Sequence, residues 1–302
     1  MAHYTIDNNS NIDYEYEHGI RRIINIILIP ILNTLPTRLR PHISKDRAAD
    51  EVADHRTSHY ALEILYHKGN NVSRPKYPLE RIARRIWFNS NSAKAVRNRL
   101  RFVRHAITNH LRDRVTSGEK TLHVLSIASG SARAVLESVA TIRSEYPDVS
   151  FRILLIDKKT DALAYSKQLA QELGLRDDAA VDISWQEGTA ETSVKQLYNH
   201  GMRFDVVEMV GLLDYFDDEK MISISHHIRT ILKPGGMYIT ANVAPNKEQR
   251  FVTKFVDWKM IYRTHTDMHR NLIAAGFPED NICLTYEPLK IHIISTSYER
   301  QK

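Results

Sequence analysis

Apolar positions along the chain follow two rhythms, and the change between them falls at residues 116–120. Before that point they recur at three- and four-residue spacing. In residues 92–115, Ala93, Val96, Leu100, Val103, Ile107 and Leu111 mark one face of a long helix with Ser92 as its N-cap. Residues 46–67 carry the same spacing at Ala49, Val52, Ala53, Leu62 and Leu65 and read as one helix. Residues 20–32 read as an apolar helix ended near Pro30 or Pro36. Residues 70–78 are polar with two prolines and read as a loop.

After the linker TSGEK, short runs rich in Val and Ile alternate with amphipathic stretches. Strands are expected over 123–128 (HVLSIA), 151–157 (FRILLID), 180–186, 204–210 (FDVVEMV) and 236–243 (GMYITANV). Helices are expected between them over 133–145, 161–173, 192–200 and 217–232, then over 247–259 and 266–275. This alternation builds βαβ units and a parallel sheet. Two closing strands, 282–286 and 290–297, are joined too tightly for a parallel crossover and must be antiparallel. The expected architecture is α/β, with an N-terminal helical domain over 1–115 and an α/β domain over 116–302.

Charge divides the chain at the same place. Residues 1–115 hold 20 Lys+Arg and 11 Asp+Glu, and residues 116–302 hold 22 and 25, so a net +9 faces a net −3. Within residues 81–114 ten cations accompany one acid, Asp113, with Trp87, Phe88 and Phe102 interleaved. Such a segment suits nucleic-acid phosphates, or is simply the solvated face of an amphipathic helix. The longest apolar run, 23–32, is far shorter than the roughly 20 residues of a membrane span. The N-terminus, MAHYTIDNNSNIDYEYEHG, is polar and acidic, unlike a secretory signal. Cys283 is the single cysteine, so no intramolecular disulfide can form and a reducing cytoplasm is expected.

In an open parallel sheet ligands bind outside the carboxyl ends of the strands. The first strand-end loop, Ala128-Ser129-Gly130-Ser131-Ala132-Arg133, has small residues that let the backbone approach a ligand before a helix start. Asp157 ends the second strand, before Lys158, where a carboxylate can accept from both ribose hydroxyls; it also fits a helix N-cap. Gly188, Thr189 and Ala190 follow the third strand and could hold an adenine edge or form a plain turn. Glu208, Met209, Val210 and Gly211 lead into Leu212-Leu213-Asp214-Tyr215-Phe216 at the centre of the site. Asp214 and Tyr215 are the catalytic candidates there, or the start of a helix. No His, Cys and acid cluster has metal-ligand spacing.

The order of these motifs resembles the class I S-adenosylmethionine-dependent methyltransferases over residues 121–297. The carrying stretches are VLSIASGSARAVLE, LLIDKK, EGTAE, FDVVEMVGLLDYF, ILKPGGMYIT and GFPEDNICLTYEPLKIHIISTSY. The resemblance implies a seven-stranded Rossmann-like sheet of order 3-2-1-4-5-7-6, strand seven antiparallel. It implies the cofactor's methionine part near Ser129, Gly130 and Ser131, its ribose on Asp157 and its adenine near Thr189 and Ala190. The chain departs from the family in having Ser-Gly-Ser for Gly-x-Gly, and Thr189 where an acid is usual. The resemblance also implies a small-molecule acceptor, with added N-terminal helices as a lid. Tyr14, Tyr16, Trp87 and Arg97 are the lid candidates for substrate contact, with Asn242, Trp258 and Tyr262 from the other side. Trp258 and Tyr262 share a face if the preceding helix continues, and Trp258 also reads as core.

Three activities remain open at this level: methylation of a small molecule, non-methyl use of the cofactor by cyclisation to azetidine-2-carboxylate or aminocarboxypropyl transfer, and nucleic-acid methylation. A nicotinamide-dependent enzyme fits less well, given the KPGG turn and the closing hairpin. A homodimer built through the helical part is also compatible.

Overall fold

A computed structural model describes residues 3–17, 19, 30, 34, 46–254 and 256–300. The helix expected over 20–32 lies outside the described residues. The central strand β2 (Thr121–Ile127) is flanked by β3 (Ser150–Asp157) and β5 (Phe204–Val210), both parallel to it. Outward from β3 lies β4 (Val181–Glu187), and outward from β5 lies β6 (Leu232–Val243). The strand β8 (His292–Tyr298) pairs antiparallel with both β6 and β7 (Ile282–Tyr286). These seven strands run in the expected order.

An eighth strand corrects the expected count. Thr5–Ile6, β1, adds in parallel to β7, opposite Thr285 and Tyr286. Two residues are too few to carry a periodicity from which a strand could be read. Its docking puts the chain's N-terminal segment against the far edge of the sheet.

Val124, Leu125, Ser126 and Ile127 of β2 are all buried, as a strand covered on both faces requires. Helices α4 (Asn91–Thr116), α5 (Arg133–Glu145) and α6 (Thr160–Glu172) cover one face. Helices α7 (Ala190–Asn199), α8 (Asp218–Thr230) and α10 (His265–Ala274) cover the other. Val103, Ile107 and Leu111 of α4 share the first core with Val135 and Val139 of α5, so one core runs across residues 115–116.

Ahead of α4 lies a small helical layer of α1 (Arg47–Asp54), α2 (His59–Tyr66) and α3 (Pro78–Trp87). The single helix expected over 46–67 is broken in two. The His55 N–H closes α1 on the Glu51 carbonyl, and the Ser58 hydroxyl restarts the chain by accepting from Ala61 N–H. Likewise Ser90, not Ser92, caps α4, accepting from Ala93 N–H. The layer has its own core of Ala48, Val52, Ala61, Ile64, Leu65 and Phe88.

Gly69 closes this core with φ +76°, and a Cβ there would stand 2.7 Å from Ala48 Cβ and 2.9 Å from the Phe88 ring. Both backbone and packing therefore reject a side chain. Gly69→Ala is expected to cost about 2 kcal/mol or more, read as a lower urea midpoint at unchanged slope; an unchanged midpoint would contradict this packing.

Candidate active site

The carboxyl ends of β2, β3, β4, β5 and β6 open on one cavity of about 810 Å³, roofed by α2, α3 and the start of α4. That volume lies in the upper part of the roughly 300–1,000 Å³ typical of ligand sites.

The loop after β2 takes an unusual path. Ala128, Gly130 and Ala132 all have left-handed backbone, with φ of 51°, 54° and 51°. Two alanines held there signal a strained loop maintained by its surroundings. Part of that support comes from Asp157. Its carboxylate accepts from Gly130 N–H at 2.8 Å and from Lys159 N–H at 2.9 Å, while its carbonyl accepts from Gly188 N–H at 3.0 Å. One residue thus ties together the ends of β2, β3 and β4. Ala128, Gly130, Asp157, Lys158, Gly188, Thr189 and Ala190 all line the cavity. At Gly188 a Cβ would lie 2.6 Å from Ser193 Oγ. The Thr189 hydroxyl is spent as the cap of α7, accepting from Thr192 N–H.

Other residues expected at the cofactor side stand behind the wall. Ser129 donates its N–H to the Ile156 carbonyl, and its buried hydroxyl has no partner among the described residues. Ser131 is buried beside Glu63. Arg133 pairs at 2.6 Å with the fully buried Glu63 of α2, and at 3.0 Å with Glu137. It therefore fastens the roof to the floor. Met209 is fully buried core.

Glu208 also lies off the cavity; it accepts from the Ser126 hydroxyl and from Val210 N–H at 3.0 Å. Burial pushes its carboxyl up to about 7, against the opposing pull of those two donors and of Arg99. A raised pKa means that the folded protein keeps a proton which the unfolded chain has lost, so ionisation costs stability between about pH 4.5 and 7. Glu208→Gln lacks that cost. Its stability relative to wild type is expected to rise from pH 4.5 to 7 and then level off; urea midpoints that stay parallel would contradict it.

The loop after β5 supplies Val210, Gly211, Leu212, Asp214 and Tyr215 to the cavity. Asp214 is buried, accepts from Val243 N–H at 2.7 Å and offers its carbonyl to Ile261 N–H at 2.7 Å. Tyr215 Oη accepts from Trp258 Nε1–H at 2.7 Å. Burial pushes the Tyr215 hydroxyl up to about 12, so it stays protonated near neutrality and can serve as a donor.

Asn242 is fully buried and does not reach the cavity. It donates to the Val243 and Ile261 carbonyls and accepts from Arg263 Nη1–H at 2.8 Å. Arg263, 2% exposed, also holds Asp218 and the carbonyls of Leu213 and Phe216. This clamp sets the course of the 211–216 loop. The helix expected over 247–259 is only α9 (Gln249–Lys254), and Trp258 and Tyr262 do not share a helix face. Asp257, at φ 56° and 3.0 Å from Arg56, turns the chain away. Both aromatic side chains nevertheless reach the cavity.

The roof corrects the lid assignments. Trp87 lines the cavity, but Tyr14 and Arg97 do not. Tyr14 is buried and donates to Asp7 at 2.7 Å. Arg97, 3% exposed, donates to both Glu15 carboxylate oxygens at 2.6 and 2.9 Å, and to the Phe88 carbonyl at 2.7 Å. Burial opposes ionisation of Glu15, yet the Arg97 bonds win and hold it down to about 2. The N-terminal segment thus straps over α4 and covers a face expected to meet solvent. Arg84, Arg97, Arg101, Arg104, Arg112 and Arg114 each pair with a carboxylate.

The sequence reading missed several cavity residues: His59 against Gly130, Arg99 against Gly211, and Leu79, Ile82 and Ile86 of α3. Burial keeps the His59 imidazole below its usual pKa. The α3 residues recur at i, i+3 and i+7, a helical stripe readable in the sequence. Arg99 stands three residues after Val96 and four before Val103, and so interrupts an apolar face.

Comparison with known proteins agrees with this architecture. A family model described as "Putative methyltransferase" matches residues 56–295. The chain belongs to this methyltransferase family. No curated protein sequence matches the methyltransferase. Its fold is shared with a protein described as a possible exported protein from Bordetella parapertussis, at 19% identity and TM-score 0.61, over 80% of this chain and 79% of that one. It is also shared with magnesium protoporphyrin IX methyltransferase from Synechocystis PCC 6803 with bound S-adenosylmethionine, at 13% identity and TM-score 0.51, over 85% of this chain and 99% of that one. Among the described residues, no helix of the methyltransferase is long and apolar enough to cross a membrane.

Proposed function

We propose that this methyltransferase uses S-adenosylmethionine to methylate a small, largely apolar acceptor. The observation that carries the reading is Asp157, a carboxylate at the cavity wall, fixed by two N–H groups at the end of the strand beside the central one. A carboxylate in this place suits ribose hydroxyls. Gly188, Thr189 and Ala190 would border the adenine, and Ala128 and Gly130 the methionine part. Bound there, the cofactor supplies an electrophilic methyl on a sulfonium leaving group. A solved protein of this fold binds the same cofactor.

The chain's own contribution is to position the acceptor and exclude water. Trp87, Trp258, Met260 and Tyr262 give the acceptor side apolar walls. Tyr215 can donate a hydrogen bond but holds its proton too tightly to act as a base. Asp214 is engaged with Val243 and buried. Nucleic-acid methylation has less support, because six arginines of the basic segment are paired with the chain's own acids. A reducing cytoplasm suits the free, exposed Cys283.

Identifying the sulfur product tests the reading. The pure protein is incubated with S-adenosylmethionine alone and with a small-molecule extract. S-adenosylhomocysteine formed only with extract is the expected result. Methylthioadenosine formed without any acceptor would replace methyl transfer by cyclisation.

A further inference from the structure

Among the described residues four arginines are buried, and three have a carboxylate partner: Arg84 with Asp46, Arg97 with Glu15 and Arg263 with Asp218. The fourth, Arg99, is 5% exposed, lines the cavity, and has no carboxylate within ion-pair distance among the described residues. A buried guanidinium without a counter-charge is costly, and such a cost persists where a ligand supplies the charge.

The acids around Arg99 are engaged elsewhere. Glu208 is held by Ser126 and Val210, and Asp214 by Val243. Arg99 donates to the Tyr66 hydroxyl, and Tyr215 and His292 lie within electrostatic reach of it. None of the three carries a negative charge near neutral pH, because burial raises both phenols and keeps the imidazole well below its usual pKa.

Position separates Arg99 from the proposed cofactor subsite. Its guanidinium would meet a Cβ at Gly211 at 3.5 Å, beyond the end of β5. Its electrostatic neighbours come from α2, from the β5 end, from the 3-10 turn of Asp214 and Tyr215, and from β8. Asp157 belongs to a different group at the ends of β2 and β3, with His59, Glu63, Lys159 and Asp161. The stripe Leu79, Ile82 and Ile86 is about half exposed along α3 and gives the cavity an apolar wall.

We propose that Arg99 is the anion-recognition residue of the acceptor subsite, and that the acceptor is an apolar molecule bearing a carboxylate. The inference rests on reading the remainder of the cavity as the cofactor subsite.

The test uses the full-length protein saturated with S-adenosylhomocysteine and a matched pair of probes, 4-phenylbutyrate and 4-phenylbutanol, followed by calorimetry. Wild type is expected to prefer the carboxylate about tenfold or more, the worth of one charge-assisted contact. Arg99→Met should bring that preference within about twofold while holding S-adenosylhomocysteine affinity within about threefold. Arg99→Lys, which keeps the charge and guards against a folding defect, should retain most of the preference. A wild type that does not discriminate overturns the proposal. So does an Arg99→Met protein whose preference persists, and if its S-adenosylhomocysteine affinity falls instead, the guanidinium serves the cofactor's own carboxylate. Failure of wild type to bind S-adenosylhomocysteine would sink the cofactor reading alone, since the probe pair still reports on Arg99 in the free protein.

Discussion

Replacing Asp157 by alanine is expected to reduce affinity for S-adenosylhomocysteine at least about 100-fold. Two ribose hydroxyls donating to a charged acceptor are together worth about 3–6 kcal/mol. A second loss adds to the first. The same carboxylate accepts from Gly130 and Lys159 N–H groups, and the loop it steadies holds three left-handed residues. Without it that loop relaxes toward ordinary backbone and the ends of β2 and β3 lose their common anchor. Asp157→Asn keeps one acceptor oxygen and should fall between wild type and alanine. Calorimetric titration of the three proteins reads the series. Equal affinities would remove Asp157 from the site.

The other large effect is expected at Glu63. This residue is fully buried and accepts from Arg133 at 2.6 Å and from the Tyr165 hydroxyl at 2.9 Å. Burial opposes its charge, but the Arg133 bond prevails and lowers its pKa, so the pair is ionic. Removing Glu63 leaves the half-buried Arg133 with Glu137 as its remaining carboxylate and the Tyr165 hydroxyl without its acceptor, at a cost of about 3 kcal/mol, the low end for a broken buried pair. Glu63→Ala should therefore lower the urea midpoint strongly. Replacing both partners together, as Glu63→Leu with Arg133→Met, should recover most of the loss, because neither charge then remains unpaired. Glu63 also lies one helical turn after His59, whose Cβ stands 3.4 Å from the Cβ position of Gly130. The single variant should thus weaken cofactor binding as well as stability. A stability loss below about 1 kcal/mol, taken from the midpoint and slope, would show that the pair does not join the roof to the sheet.

These two residues mark what the chain discloses in one dimension and what it withholds. The parallel strands were legible because continuous Val and Ile runs bounded by amphipathic helices have few other readings. The place of Asp157 at the cavity wall was legible because a strand-end acid beyond a small-residue loop lies where an open parallel sheet has its ligand crevice. Arg133 was misread for the opposite reason. It stands next to the loop in sequence, but its partner Glu63 is 70 residues away on a helix of the roof. Arg97 is similar, since Glu15 lies 82 residues away on the strap. The sequence shows a basic helix face, and only the fold shows the acids brought over it. Asn242 follows the same pattern, with its amide taken up by the Arg263 clamp. Arg99 could have been noticed as a charge in an apolar stripe, but that it has no carboxylate partner among the described residues depends on where the other acids go.

The most direct test of the account is thermal unfolding of the wild-type protein with S-adenosylhomocysteine, and separately with NAD. A ligand at 100 times its dissociation constant stabilises the folded state by about 2.7 kcal/mol. The melting temperature is expected to rise by several degrees, in step with S-adenosylhomocysteine concentration, and to be indifferent to NAD. A melting temperature unmoved by millimolar S-adenosylhomocysteine, or raised by NAD instead, would contradict the assignment of this cavity.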